Sequence, residues 1–136
     1  MIIKQISIFV ENKPGRLAEI TDIIAKNNIN IRALSVADTT HFGILRIIVD
    51  HPEEVERVLK EAGLTVSITS VITACIHDRP GGLAEVLGLL ASNDITIEYM
   101  YAFIAKSENE AYVVMRIEAE SAAVKLLTEH GFTGME

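Results

Sequence analysis

Two short segments carry the residue types best placed for chemistry, and they are near copies of one another: Asn12-Lys13-Pro14-Gly15-Arg16-Leu17 and Asp78-Arg79-Pro80-Gly81-Gly82-Leu83. Proline fixes φ and holds the preceding Lys13 or Arg79 extended, while glycine lets the backbone approach another group without a Cβ in the way. Apolar residues at helical spacing follow each segment, so each turn opens a helix. A helix start presents unpaired N–H groups and a partial positive charge, which suits a carboxylate. Asn12 and Asp78, just upstream, offer oxygen acceptors to an ammonium group. Together the two halves suit a zwitterion. Pro and Gly at a helix start, with Asn or Asp nearby as a cap, are also ordinary turn chemistry. A single copy does not separate a binding turn from a structural one, and common ancestry alone could preserve both.

Other reactive groups are sparse. The four histidines, His41, His51, His77 and His130, lack metal-ligand spacing, and Cys75 is the only cysteine, so no metal site and no internal disulfide are expected. The apolar flanks of Cys75 read as a strand, with the thiol as a small buried side chain. His77 adjoins Asp78, but strand neighbours point to opposite faces. Neither a phosphate-binding loop with its lysine nor a nucleophile elbow occurs, and no catalytic residue or cofactor is expected. The acidic residues Asp50, Glu53, Glu54, Glu56 and Glu61 read as a solvated helix face. The net charge of −7, with no basic run, argues against nucleic acid as a direct partner. No stretch approaches the roughly 20 apolar residues needed to span a membrane, and the N-terminal residues lack the layout of a signal peptide. The cytoplasm is the expected compartment.

The elements that position these turns are themselves repeated. From Pro14 to Ile31 against Pro80 to Ile97, nine of eighteen positions are identical at an offset of 66. The offset then drifts, which places extra residues of the second copy near Lys106-Ser107-Glu108-Asn109, where a hairpin tolerates them. In the first copy a strand through Ile3, Ile6, Ile8 and Val10 precedes a helix with Leu17, Ile20 and Ile24 on one face, which Asn27-Asn28 ends. Strands at Ile29–Val36 and Ile44–Val49 form a hairpin about Asp38-Thr39-Thr40-His41. Pro52 then opens a helix with Val55, Val58, Leu59 and Ala62 in register, and Gly63 caps it. The second copy repeats each step: strand Val71–Ile76, helix Leu83/Val86/Leu87/Leu90, strands Ile95–Ala105 and Ala111–Ile117, and helix Ala123/Leu126/Leu127/His130. Few residues follow, so its last strand is very short or supplied differently.

The pattern predicts an α+β chain of two ferredoxin-like βαββαβ modules, residues 1–69 and 70–136, with antiparallel sheets, helices on one face, and the two modules packed into one larger sheet. On the strand after the second copy's first helix, Tyr99, Tyr101 and Phe103 face one way with Ile97, whereas Met100 faces the other. Tyr99, Met100 and Tyr101 are therefore candidates for pocket lining, with core or sheet packing as the other role open to them.

The repeated turn, the Leu-Ala-Glu after it, the Asn-Asn/Asp-Ile-x-Ile that ends the helix and the element order resemble the ACT domain family, in two copies across almost the whole chain. The resemblance implies an amino-acid ligand held at an interface between two domains, and regulation of an enzyme of amino-acid metabolism. It implies binding roles for Asn12, Pro14, Gly15, Arg16 and Leu17, and for Asp78, Pro80, Gly81, Gly82 and Leu83, many of them through backbone atoms. Asn12 departs from the acidic residue more often seen there, which makes the second site the stronger candidate. The expected function is thus an amino-acid-sensing regulatory protein, a homodimer being compatible with it. A regulatory subunit of a partner enzyme such as acetolactate synthase is the alternative, with a small enzyme using the ferredoxin-like cleft as the third reading.

Overall fold

The computed structural model describes residues 1–38, 41–105 and 107–135, and the side chain of Ile104 is outside that set. Among the described residues there are six strands and four helices, and the chain divides into two compact units, Lys4–Thr69 and Met1–Ile3 with Ser70–Glu136. Each is described in turn.

In the first unit, β1 (Ile2–Glu11) leads into α1 (Arg16–Lys26), β2 (Ile31–Asp38), β3 (Phe42–Val49), α2 (Pro52–Glu61) and the first residues of β4 (Val66–His77). The strand order is β2-β3-β1-β4, and β3 pairs antiparallel with both β1 and β2, Ile47 lying opposite Ile6 on one side and Leu34 on the other. Alternation along β1 sends Ile6, Ile8 and Val10 to one face, where they meet Ile20 and Ile24 of α1 and Val55, Val58 and Leu59 of α2 in one cluster. Each of these side chains is at most 8% exposed, and burial of a branched aliphatic is worth about 1.5–3 kcal/mol. This cluster holds the helix starts in place. Pro52 is at the first turn of α2, where its missing N–H costs nothing. The acidic residues of α2 are solvated and paired: Arg57 reaches Glu54 and Glu61, and Lys60 reaches Glu56.

The second unit runs from the rest of β4 through α3 (Gly82–Ser92), β5 (Tyr99–Ile104), β6 (Glu110–Arg116) and α4 (Glu120–Glu129), with strand order β4-β6-β5. Ile72 and Ala74 of β4, Val86 and Leu90 of α3, Val113 and Met115 of β6, and Ala123 and Leu127 of α4 form its core. The strand β5 begins at Tyr99, later than the sequence pattern suggests. Asp94 turns the chain at φ 56°, and residues 95–98 cross from helix to sheet, so the ladder opens only with the Glu98 N–H donating to the Arg116 carbonyl at 2.9 Å.

Among the described residues no fourth strand, of the kind that residues 66–69 give the first unit, closes this one. Its place beside β4 is taken by Met1 and residues 133–135. The Thr73 N–H donates to the Met1 carbonyl at 2.9 Å and the Cys75 N–H to the Thr133 carbonyl at 2.7 Å. Among the described residues no helix is long and apolar enough to cross a membrane.

Candidate functional site

Both repeated turns reach their helices through a left-handed glycine. Gly15 sits at φ 83° before α1 and Gly81 at φ 88° before α3, conformations that glycine adopts without the penalty a Cβ brings. Each glycine occupies the cap position, and neither helix has a side-chain cap. A glycine cap offers no side-chain oxygen: Arg16 and Gly82 donate their N–H groups to the Lys13 (3.3 Å) and Arg79 (3.0 Å) carbonyls, and the next N–H groups of the first turn, those of Leu17 and Ala18 and of Leu83 and Ala84, are left to an external acceptor. Asn12 and Asp78 lie too far upstream to cap. Their N–H groups instead donate to the carbonyls of His41 (3.1 Å) and Asn109 (2.7 Å), tying each turn to the neighbouring hairpin. Pro14, Pro80, Leu17 and Leu83 are exposed.

Around the first turn the surface is cavitated. A hollow of about 270 Å³ is lined by Asn12, Lys13, Arg16 and Leu17 of the turn and by Val36 and Gly43 of the hairpin. Its polar rim carries both signs. Glu11 accepts from Lys13 at 2.8 Å and faces Arg16 at 3.8 Å, and Arg16 also meets Glu19 at 3.1 Å. The Lys13 ammonium, with help from Arg16, holds the Glu11 carboxyl below its ordinary value, so it is a carboxylate at neutral pH. A larger cavity of about 500 Å³ adjoins the first, sharing Val10, Glu11 and Arg16 and running to the loop Ala62–Thr65 after α2. The aromatic residues on its wall, Phe9 and Phe42, come from β1 and β3. They meet edge to face with centroids 6.5 Å apart, a convergence that sequence spacing did not signal.

The second turn is built differently at one position. Where the first copy has Arg16, the second has Gly82, which is buried, and a Cβ there would lie 2.0 Å from the His77 carbonyl oxygen. Backbone packs against backbone at that point. The sequence-predicted residues Asp78, Pro80, Gly81, Gly82 and Leu83 thus lie together in one turn, as do Asn12, Pro14, Gly15, Arg16 and Leu17 in the other. Tyr99, Met100 and Tyr101 lie apart from the turn in chain order, on β5. Met100 packs against the core opposite Met115, while Tyr99 and Tyr101 sit on the other face opposite Arg116 and Val114.

Burial, and the nearby negative charge and hydrogen bond of Glu110, push the Cys75 thiol above its ordinary value. Less thiolate at a given pH means slower alkylation. Iodoacetamide at neutral pH is expected to modify folded Cys75 about tenfold more slowly than the urea-unfolded chain, as followed by intact mass. Equal rates would show the thiol to be open and unperturbed. Among the described residues no group of three or more His, Cys, Asp or Glu is arranged to hold a metal ion.

Comparison with known proteins sets these turns in a family. The chain is similar to a Bacteroides thetaiotaomicron protein of known crystal structure, with 42% identity, 99% of this chain and 92% of that one covered, and a TM-score of 0.93. It shares its fold with regulatory subunits of aspartate kinase. The ligand-free Thermus thermophilus subunit is 17% identical, with 96% of this chain and 97% of that one covered and a TM-score of 0.67; the Thermus flavus subunit is 18% identical, with 95% and 94% covered and a TM-score of 0.65. Among curated proteins none matches. A family model described as an ACT domain pair matches residues 1–132, and with both turns, both helix starts and both hairpins inside that match, the chain belongs to the ACT domain pair family.

Proposed function

We propose that this chain is an amino-acid-binding regulatory protein, without a catalytic centre of its own, that takes its ligand at the strand-to-helix turn. One observation carries the reading: both helices start from a left-handed glycine with no side-chain cap, so the N–H groups that follow the first bonded one, at Leu17 and Ala18 and at Leu83 and Ala84, are available to a carboxylate. In the first copy the hollow beside Asn12, Lys13, Arg16 and Leu17 adds cations for the carboxylate and the Glu11 carboxylate for an ammonium. A zwitterion lying across the turn would meet both signs of charge. The second turn offers the same helix start with Asp78 nearby, and Tyr99 and Tyr101 remain candidates for shaping a separate site there.

Binding at such a turn regulates by favouring one conformation over another, and the output passes to a partner protein. The partner we propose is an enzyme of amino-acid biosynthesis. Membership of the ACT domain pair family supports this, and the fold shared with aspartate kinase regulatory subunits makes such kinases partners to test beside acetolactate synthase. A homodimer and a cytoplasmic location are compatible with this role.

Calorimetric titration of the full chain against the twenty common amino acids tests it. At least one is expected to give saturable heat, and a ligand present at about 100 times its Kd raises the unfolding free energy by about 2.7 kcal/mol. Val36→Trp, which fills the hollow from the exposed edge of β2, is expected to remove binding at the first turn. Silence from all twenty, in heat and in thermal shift, would sink the proposal.

A further inference from the structure

We infer that the Lys4–Thr69 unit carries a second small-molecule site, in the 500 Å³ cavity between the start of α1 and the loop after α2, and that its ligand is an organic ammonium compound with an apolar arm. The volume is ample for a molecule of about a dozen heavy atoms, within the range of ordinary ligand pockets. It is roughly twice the hollow beside the turn.

The lining selects the ligand's charge. Among the lining residues Glu11 and Glu19 bring two carboxylates and Arg16 the single cation, at 3.8 and 3.1 Å; Lys13, outside the lining, also pairs Glu11 at 2.8 Å, which leaves Glu19 as the carboxylate that shares its cation. An anionic ligand would meet two carboxylates beside the one guanidinium. An ammonium meets Glu19 as its acceptor, and a charge-assisted hydrogen bond to it is the stronger kind. The aromatic wall agrees, because Phe9 and Phe42 present ring surface to a cation. Their 55% and 49% exposure is apolar area that a ligand would remove from water. Deeper in, Ile20 and Leu64 give the apolar arm a floor. The site does not rest on binding at the turn, since only Val10, Glu11 and Arg16 line both cavities.

Phenethylamine and 3-phenylpropionate, which share an apolar arm and differ in the sign of their charge, are suitable probes for NMR titration of the full chain. Phenethylamine is expected to shift the amides of Ile20 and Ala62–Thr65 saturably, and 3-phenylpropionate to leave them in place. Glu19→Gln, at an exposed position, is expected to weaken phenethylamine binding about tenfold. Ala62→Trp, which fills the cavity from the exposed end of α2, is expected to abolish it while amino-acid binding at the turn survives. The inference is overturned if neither probe shifts these amides up to about 10 mM, if both shift them equally, or if phenethylamine binding survives Ala62→Trp. In each of those cases the titration of the turn with amino acids stands or falls on its own amides, Leu17, Val36 and Gly43.

Discussion

Gly82→Ala is expected to lower the unfolding free energy by about 3 kcal/mol, whereas Arg16→Gly, the change at the matching position of the first copy, costs about 1 kcal/mol. The asymmetry has a geometric cause. At residue 82 a Cβ would stand 2.0 Å from the His77 oxygen and 3.1 Å from its carbonyl carbon. Those are backbone atoms, so relief requires β4 or the start of α3 to move. At residue 16 the chain already carries a Cβ, and the arginine beyond it makes only partly exposed ion pairs. Its loss removes little beyond those pairs and some helix propensity. Urea denaturation midpoints of the two variants measure the difference. Equal losses, or a silent Gly82→Ala, would mean that the second turn has slack that the geometry denies it.

That contrast bears on function. The duplicated turns share a left-handed glycine and an uncapped helix, yet the first is opened by Arg16 and flanked by two cavities, while the second is drawn tight at Gly82. The family resemblance favoured the second turn as a site because Asp78 is acidic where the first copy has Asn12. In the folded chain the extra glycine serves a close backbone approach, a requirement that depends on where His77 lies in space.

Much of the fold is legible in the residues. Ile20 and Ile24 repeat at helical spacing and are buried; Pro52 marks the start of α2; Gly63, after its end, sits at φ 88°. These signals are local, and local geometry decides them. The alternation of Tyr99 and Tyr101 against Met100 is also local, and the faces follow it. What stayed hidden depends on distant partners. The ends of the chain meet at Thr73, and Phe9, Phe42 and Leu64 converge on one cavity from β1, β3 and the loop after α2. The absence of a capping side chain was hidden for another reason. Asn12 and Asp78 are cap-forming types, but the cap position falls on the glycine three residues later.

The second large effect concerns how the last copy closes without a full strand. Phe9 and Cys75 are 66 residues apart, the repeat offset, and their N–H groups donate to the carbonyls of Thr65 (3.0 Å) and Thr133 (2.7 Å). Residues 133–135 therefore replace the missing strand's first bonds. Thr73, fully buried, holds them: its hydroxyl accepts from the Met135 N–H at 2.8 Å and donates to the Met1 carbonyl at 3.2 Å, and the Met1 amino group donates to the Met135 carbonyl at 3.1 Å. Gly134 fits beneath only because it lacks a Cβ, which would stand 2.5 Å from the Thr73 carbonyl oxygen and 2.8 Å from the Met1 Cα. Thr73→Val leaves the buried Met135 N–H without this acceptor and is expected to cost about 1–3 kcal/mol. Gly134→Ala lifts the segment away and forfeits the burial of the Met135 side chain, about 2–3 kcal/mol. Because both changes release the same segment, the double variant is expected to lose little more than the worse single one. Hydrogen exchange at the Cys75 amide reports the release directly, speeding up in each variant. Additive losses with that amide still protected would mean that the segment does not close the unit, and that Thr73 and Gly134 act through separate contacts.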